Sequence, residues 1–277
     1  MRRIMRVPFI KMHGLGNDFV VLDGRAGAVI PAMDNRLAAA LADRKTGIGC
    51  DQLILLEPSA SADFRMRIFN ADGGEVEACG NAARAVGLLN GAPARIETLG
   101  GAIATSPADA GIAVDMGAPR FGWEEIPLAY AMDTLAMPVA WDELENPVGV
   151  NVGNPHAVFF VPDSASVDLA RLGPLIEHDP LFPQRVNVNV ATVTARDAIR
   201  LRVWERGVGE TRACGTGACA TAIAAMRRGL TERRVTVMLT GGLLAIEWRA
   251  DGGIEMTGPA AISFRGDFDP ADFGAAA

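Results

Sequence analysis

Short apolar runs, continuous or alternating with polar residues, recur along the chain, and most have the length of a strand. In the first half they cover Val7–Met12, Asp18–Asp23, Gln52–Glu57, Asp63–Asn70, Arg95–Leu99, Ala102–Thr105 and Ile112–Met116. In the second half they cover His156–Val161, Val186–Thr194, Ile199–Trp204, Val235–Leu239, Leu244–Trp248, Ile254–Met256 and Ala261–Arg265. Runs of this length and period predict β-strands joined by turns.

Helical periodicity is restricted to four places. Asn35–Arg44 and Val167–Ile176 have the pattern of short amphipathic helices. Two longer runs each open on Cys-Gly, one from Cys79 to about Asn90 and the other from Cys214 to near Gly229. These two runs are largely apolar, which predicts that each helix is enclosed by the sheet of its own half.

The two cysteine helices belong to an internal duplication. The segment from Glu75 to Ala83 aligns with the segment from Glu210 to Ala218, which sets Cys79 over Cys214. The same spacing sets Gln52 over Asn187 and Asn70 over Glu205, and a spacing two residues longer sets Asn17 over Asn154. Aligned segments separated by about half the chain length indicate a repeated domain.

The duplicated pattern of strands and one apolar helix predicts the fold class. We expect an α+β protein of two pseudo-symmetric domains, each a mostly antiparallel, curled β-sheet or barrel around a central helix. The predicted domains are residues 1–118 and 119–261, and a last strand within 262–277 returns to complete the first one.

The chemistry of the repeat lies at the start of each cysteine helix. A helix N-terminus has free backbone N–H groups and the positive end of the helix dipole, which favour an anion. We therefore expect the pKa of Cys214 to be lowered, so that the thiol serves as a base or nucleophile. If both helices point into a common cleft, two thiols on opposite faces of one carbon are arranged to invert a stereocentre.

Composition excludes several classes of protein. The chain has 277 residues, 49% hydrophobic residues and a net charge of −7 without a basic stripe, so neither nucleic acid nor an anionic membrane is an expected partner. Four cysteines without Cys-X-X-Cys spacing predict reduced thiols in the cytoplasm. Scattered histidines predict no metal site, and two lysines without an activating context predict no Schiff-base cofactor.

Several long motifs resemble the diaminopimelate epimerase family. They begin with Lys11-Met-His-Gly-Leu-Gly-Asn-Asp-Phe and continue with Phe69-Asn-Ala-Asp-Gly and Ala78-Cys-Gly-Asn-Ala-Ala-Arg. The remaining blocks are Gly153-Asn-Pro-His-Ala-Val, Arg185-Val-Asn and Glu205-Arg-Gly-Val-Gly-Glu-Thr-Arg-Ala-Cys-Gly-Thr-Gly-Ala. They occur in the family's order and cover essentially the whole chain.

The resemblance implies that no cofactor is needed to interconvert LL- and meso-2,6-diaminopimelate, on the route to lysine and peptidoglycan. It implies that Cys79 and Cys214 are the catalytic acid/base pair, that His156 and Glu205 tune their pKa values, and that the protein is a homodimer. The implied substrate-binding residues are Asn17, Gln52, Asn70, Gly80, Asn81, Asn154, Asn187, Glu205, Arg206, Gly215 and Thr216.

The chain departs from the family pattern in a few positions. Ala78 and Ala82 stand where the first cysteine motif usually has Met and Gly, and Val188-Asn-Val-Ala after Asn187 is less typical. Alanine is a better helix former than glycine, so we expect local repacking at Ala82 and retained chemistry. Cys50 and Cys219 are not repeated in the other half, and we expect them to be structural.

Other functions stay open at this point. A proline racemase relative or a phenazine-pathway isomerase shares the expected fold and differs around the site. A cysteine hydrolase would pair Cys214 with His156 and leave Cys79 without a role. A module that only binds an amino acid would not exchange the α-proton of its ligand. The segment Gly215-Thr-Gly217 weakly imitates a dinucleotide fingerprint, but a long charged turn separates it from the preceding strand.

Overall fold

The structure, a computed structural model, describes residues 6–27, 29–77 and 79–274. The chain divides into two compact units, Met1–Val114 with Pro259–Ala277 and Asp115–Gly258. Four α-helices are present in the described residues: α1 (Asn35–Ala42), α2 (Gly80–Asn90), α3 (Leu169–Glu177) and α4 (Gly215–Arg227). Short 3₁₀ turns cover Ser164–Ser166 and Pro270–Phe273.

The described part of the chain contains nineteen β-strands. The first unit contains β1 (Val7–Gly14), β2 (Asn17–Asp23), β3 (Gln52–Glu57), β4 (Phe64–Asn70), β5 (Glu75–Val76), β6 (Ala94–Thr98), β7 (Gly101–Ala108) and β8 (Gly111–Asp115). The second contains β9 (Ala140–Trp141), β10 (Leu144–Glu145), β11 (Val148–Asn151), β12 (Pro155–Phe160), β13 (Asn187–Ala195), β14 (Ala198–Glu205), β15 (Gly209–Thr211), β16 (Arg234–Leu239), β17 (Gly242–Trp248) and β18 (Ile254–Gly258). The last strand, β19 (Ala261–Phe268), belongs to the first unit.

In the first unit, β1 lies between β19 and β2 and pairs antiparallel with both. The β2–β3 and β4–β6 pairs are parallel, whereas β3–β4, β4–β5 and β6–β7 are antiparallel. Helix α2 contacts β1, β7 and β19, so the sheet wraps around it. Helix α1 packs outside the sheet on β3 and β4, where Leu37 and Leu41 join the apolar cluster of Leu53 and Phe69.

The second unit repeats this order of pairings. The β11–β12 and β13–β14 pairs are antiparallel, the β12–β13 and β14–β16 pairs are parallel, and β16–β17–β18 continue antiparallel. Helix α4 contacts strands from β11 to β18. Its residues from Gly217 to Ala225 are buried all round, as expected of a helix enclosed by a curled sheet. Helix α3 packs outside, on β13 and β14.

The predicted fold class is confirmed, and the long periodic segments appear as predicted. The differences lie in short elements, where periodicity carries little information. The sequence did not predict the two-residue strands β5, β9 and β10, nor β11 and β15. Helix α3 begins at Leu169 rather than Val167, because Asp168 caps it by accepting a hydrogen bond from the N–H of Arg171.

Candidate active site

Cys79 is the N-cap of α2. Its backbone is extended, and its sulfur accepts a hydrogen bond from the N–H of Ala82 at 3.5 Å. Asn17 Oδ1 lies 3.9 Å from the sulfur and accepts a hydrogen bond from Asn81 Nδ2 at 3.2 Å. The first unit therefore brings three predicted site residues together, with Gly80 as the first residue of the helix between them.

Gln52 and Asn70 form a second polar pair in the same unit. They lie opposite each other on β3 and β4, and Gln52 Nε2 donates to Asn70 Oδ1 at 3.0 Å. The other amide atom of Gln52, Oε1, is buried without a hydrogen-bond partner. A buried acceptor without a partner costs free energy, so Oε1 has capacity to bind a donor from a ligand.

Cys214 is the N-cap of α4, as the duplication predicts. Its sulfur accepts a hydrogen bond from the N–H of Gly217 at 3.3 Å and lies 3.4 Å from the Thr216 hydroxyl. Gly215 is the first residue of the helix, and Cys214 is 4% exposed. Both cysteines thus receive an N–H bond from the third residue of the helix that they cap.

The prediction that the helix N-terminus lowers the pKa of Cys214 is wrong for this structure. Burial raises the pKa of Cys214 well above its ordinary value, and the negative charge of Glu205 raises it further. The hydrogen bonds from Thr216 and Gly217 act in the opposite direction and are outweighed. Desolvation disfavours the thiolate more than two hydrogen bonds favour it, so Cys214 holds its proton.

His156 is fully buried on β12. Its Nε2 lies 2.9 Å from Asn154 Oδ1, and its Nδ1 lies 3.2 Å from Asn189 Oδ1. Burial lowers the pKa of His156 to about 4, against a hydrogen bond to Asn189 that raises it. The ring is therefore neutral at pH 7 and donates to one of the two amide oxygens at a time. Asn154 in turn donates Nδ2 to the Thr216 hydroxyl at 3.3 Å.

Glu205 is the last residue of β14, and Arg206 begins the turn that follows it. Asn187 Oδ1 accepts a hydrogen bond from the backbone N–H of Arg206 at 3.0 Å, and the Arg206 guanidinium donates to the carbonyl of Gln184. The Glu205 carboxylate accepts a short hydrogen bond from the hydroxyl of Thr211. The second unit therefore gathers Asn187, Glu205 and Arg206 at one turn.

Two further residues that the sequence reasoning missed support this part of the site. Glu177, 3% exposed, accepts hydrogen bonds from the Trp204 indole and from the N–H of Gly207 and so holds both ends of the turn. Asn189 is fully buried and donates to Gly217 O and to the Thr221 hydroxyl, both at 2.9 Å. A polar residue inside an apolar strand was the available signal for Asn189.

The cysteines that are not repeated behave as structural residues. Cys50 is buried in the cluster with Leu37 and Leu41, and its burial raises its pKa to about 11. Cys219 is fully buried inside α4. Ala82 is likewise buried in α2, while the related departure at Ala78 lies outside the described residues.

Within residues 6–27, 29–77 and 79–274, no three His, Cys, Asp or Glu side chains are grouped as metal ligands. In the same part of the chain, no helix combines the length and the apolar composition that crossing a membrane requires.

Comparison with known proteins identifies the family. The profile described as diaminopimelate epimerase matches residues 9–122 and 148–263. The diaminopimelate epimerase of Erythrobacter litoralis is 70% identical over 97% of this chain and 100% of its own length. That of Rhizorhabdus wittichii is 64% identical over 98% of both chains.

Solved structures give the same result for the fold. A phenazine biosynthesis protein of the PhzF family from Bacillus anthracis superimposes with a TM-score of 0.67 at 14% identity, over 96% of this chain and 99% of that one. The profile match and the high identity to named relatives confirm the resemblance seen in the motifs. The chain belongs to the diaminopimelate epimerase family.

Proposed function

We propose that this chain is an isomerase that interconverts LL- and meso-2,6-diaminopimelate in lysine and peptidoglycan biosynthesis, using two cysteines and no cofactor. One observation carries the assignment of the site: each unit caps its enclosed helix with a cysteine whose sulfur accepts a helix N–H bond. Asn17 of β2 lies beside the Cys79 sulfur, and Asn154, just before β12, donates to Thr216, whose hydroxyl lies beside the Cys214 sulfur.

The two thiols divide the proton transfer. One cysteine, as thiolate, removes the α-proton, and the other, as thiol, returns a proton to the opposite face of the carbon. Cys214 is suited to start as the thiol, because burial and Glu205 raise its pKa. Reversal of the reaction exchanges the two roles. The meeting of both sulfurs at one substrate carbon is a prediction from the duplication and the family.

The proposed binding residues suit a doubly zwitterionic substrate. The backbone N–H groups of the first turns of α2 and α4, at Gly80, Asn81, Gly215 and Thr216, suit a carboxylate that gains enediolate charge in the transition state. Arg206 is proposed to clamp a second carboxylate in place of the Gln184 carbonyl. The amide and carboxylate oxygens of the remaining residues suit the ammonium groups, and these residues are Asn17, Gln52, Asn70, Asn154, Asn187 and Glu205.

His156 and Glu205 are proposed to tune the cysteines. Glu205 acts directly, because its charge and hydrogen bond raise the pKa of Cys214. His156 acts through Asn154 and Thr216, which connect its ring to the neighbourhood of the sulfur. This geometry argues against a cysteine hydrolase, since the His156 ring faces the amide oxygens of Asn154 and Asn189. A homodimer and a cytoplasmic location are part of the same proposal.

The decisive experiment measures incorporation of solvent deuterium at the α-carbon of LL-diaminopimelate, with proline and hydroxyproline as comparison substrates. Of the three substrates, wild type should exchange the α-proton of diaminopimelate only and should epimerise it without an added cofactor. Cys79→Ala and Cys214→Ala should each abolish epimerisation, while Cys50→Ala should retain it. Wild-type turnover in either of the first two variants contradicts the two-base mechanism, and exchange of proline instead assigns a different substrate.

A further inference from the structure

A row of four hydrogen-bonded side chains passes beside Cys79 in the first unit. Arg84 Nη2 donates to Asn81 Oδ1 at 2.8 Å, and Asn81 Nδ2 donates to Asn17 Oδ1 at 3.2 Å. Asn17 Nδ2 then donates to Asp51 Oδ2 at 3.0 Å. The row runs from a guanidinium to a carboxylate through two amides.

The two ends of the row decide how the amides between them are turned. A guanidinium only donates hydrogen bonds and a carboxylate only accepts them, whereas a side-chain amide does either on opposite sides. Asn81 therefore presents its oxygen to Arg84, and Asn17 presents its NH₂ group to Asp51. The remaining atom of Asn17, Oδ1, is left facing Asn81 and the sulfur of Cys79.

Both ends are held by other parts of the unit. Arg84 is fully buried on α2 and also donates to the carbonyl of Pro259. Asp51 accepts from Arg44 at 2.7 Å and from the backbone N–H of Asp18 at 3.0 Å. Lys11 pairs with Asp18 as well, so two cations surround the two carboxylates and keep the Asp51 end in place.

The second unit shows that this orientation does not follow from the shared fold. The duplication sets Val186 at the position of Asp51, Cys219 at that of Arg84 and Thr216 at that of Asn81. There the amide of Asn154 is turned the other way, with its NH₂ group towards Thr216 and its oxygen towards His156. Equivalent asparagines thus present opposite atoms to the two cysteine helices.

We propose that Asp51 and Arg84 are positioning residues of the epimerase, which act through Asn17 and Asn81 to keep the carbonyl oxygen of Asn17 towards Cys79. This inference rests on the proposed function and adds two residues to it. An asparagine free to turn would offer an N–H donor in place of an acceptor beside the reacting carbon. Both orientations of the Asn17 amide would then be populated, and only one of them presents an acceptor to the substrate on the Cys79 side.

Asp51→Asn tests the proposal, because the new side chain keeps its size and accepts Asn17 in either orientation. We expect kcat/KM for LL-diaminopimelate to fall about tenfold, the effect of losing one charge-assisted hydrogen bond. In an Asn17→Ala background the same substitution should change kcat/KM by less than about twofold, since Asp51 then has nothing to orient. An equal loss in both backgrounds overturns the proposal.

Arg25→Gln is the matched control, because it removes an ion pair of the same unit, that with Asp23, and leaves the whole row from Arg84 to Asp51 in place. We expect this variant to lower the unfolding midpoint without the tenfold loss of kcat/KM. A loss as large as that of Asp51→Asn would mean that Asp51 only stabilises the fold. If Asp51→Asn does not fold, Asp51→Val replaces it in the same comparison of the wild-type and Asn17→Ala backgrounds. Valine is the residue at the equivalent position of the second unit, Val186.

The outcomes also separate this inference from the proposed function. A wild-type protein that exchanges no α-proton of diaminopimelate removes the proposed function and this inference with it. An active wild type combined with additive effects of Asp51→Asn and Asn17→Ala removes only the positioning role.

Discussion

At the scale of single residues, burial decides the protonation of the groups around Cys214. Cys214 and His156 both lie inside the second unit, and the charged form of each is disfavoured there. Burial therefore has opposite effects on the two pKa values, raising that of the thiol and lowering that of the imidazole. Both groups are neutral at pH 7 as a result.

Glu205→Gln should lower the pKa of Cys214, because it removes the negative charge that opposes the thiolate. The measurement is the rate of alkylation of Cys214 by iodoacetamide as a function of pH, followed by mass spectrometry of its peptide. Glu210→Gln is the control, since Glu210 pairs with Arg202 and leaves Glu205 in place. An unchanged pH dependence in Glu205→Gln would show that burial alone sets the pKa of Cys214.

Because His156 is buried in its neutral form, we expect the free energy of unfolding to fall in acid. Its pKa is lowered from 6.5 to about 4 on folding, so the unfolded chain binds more protons between these values and stability falls as the pH falls from 6.5 to 4. The contribution lost by pH 4.5 is about 2 to 3 kcal/mol.

Urea unfolding at pH 7 and at pH 4.5 measures this contribution. His156→Gln, which keeps polar groups for Asn154 and Asn189, should show a drop in unfolding free energy that is smaller than that of wild type by about this amount. His178→Gln, at an exposed position, should behave as wild type. An equal drop in wild type and His156→Gln would contradict the lowered pKa.

At the scale of elements, the two cysteine helices are related but are packed differently at their third residue. This residue is Ala82 in α2 and Gly217 in α4, and in each helix its N–H group bonds the sulfur of the capping cysteine. A Cβ atom on Gly217 would lie 3.0 Å from Val203 Cγ2 and 3.2 Å from the Cys214 sulfur. The glycine therefore lets the sulfur approach the helix closely.

Gly217→Ala should displace Cys214 and lower kcat, and overpacking of this kind costs about 1–3 kcal/mol of stability. The reciprocal change, Ala82→Gly, should cost about 1 kcal/mol through helix propensity while retaining the rate. Steady-state kinetics and thermal unfolding of both variants check the pair. Wild-type kinetics in Gly217→Ala would show that the position of Cys214 tolerates the added methyl group.

At the scale of the whole molecule, the first unit is built from both ends of the chain. Strand β19 pairs with β1 along its length, and Phe268 contributes to the core of that unit. The chain completes its second unit before it supplies this strand. The first unit therefore needs residues that come last in the sequence.

Removal of Pro259–Ala277 should unfold the first unit, because β1 loses one of its two partner strands and the core loses Phe268. Circular dichroism with urea should show a smaller cooperative transition than in the full chain. Ile262→Ser, at a half-exposed position of β19, is the control and should keep the full transition. A truncated chain with the wild-type transition would mean that β19 contributes little to folding.

The sequence by itself determined the fold class, the duplication and the pair of cysteines. Long periodic segments and repeated Cys-Gly helix starts are local patterns, and such patterns can be recognised in the sequence without a structure. The same signals placed Asn17 and Asn154, Gln52 and Asn187 at equivalent positions. The apolar runs of strand length likewise predicted the long β-strands of both units.

Only the tertiary structure decided the protonation and the side-chain orientation of these residues. The raised pKa of Cys214 depends on how completely the sheet encloses α4. The orientation of Asn17 depends on Asp51, which is distant in sequence, and that of Asn154 depends on the His156 ring, whose other nitrogen faces the distant Asn189. Desolvation and hydrogen-bond polarity are properties of a packed environment. For this reason neither is visible in the linear order of residues.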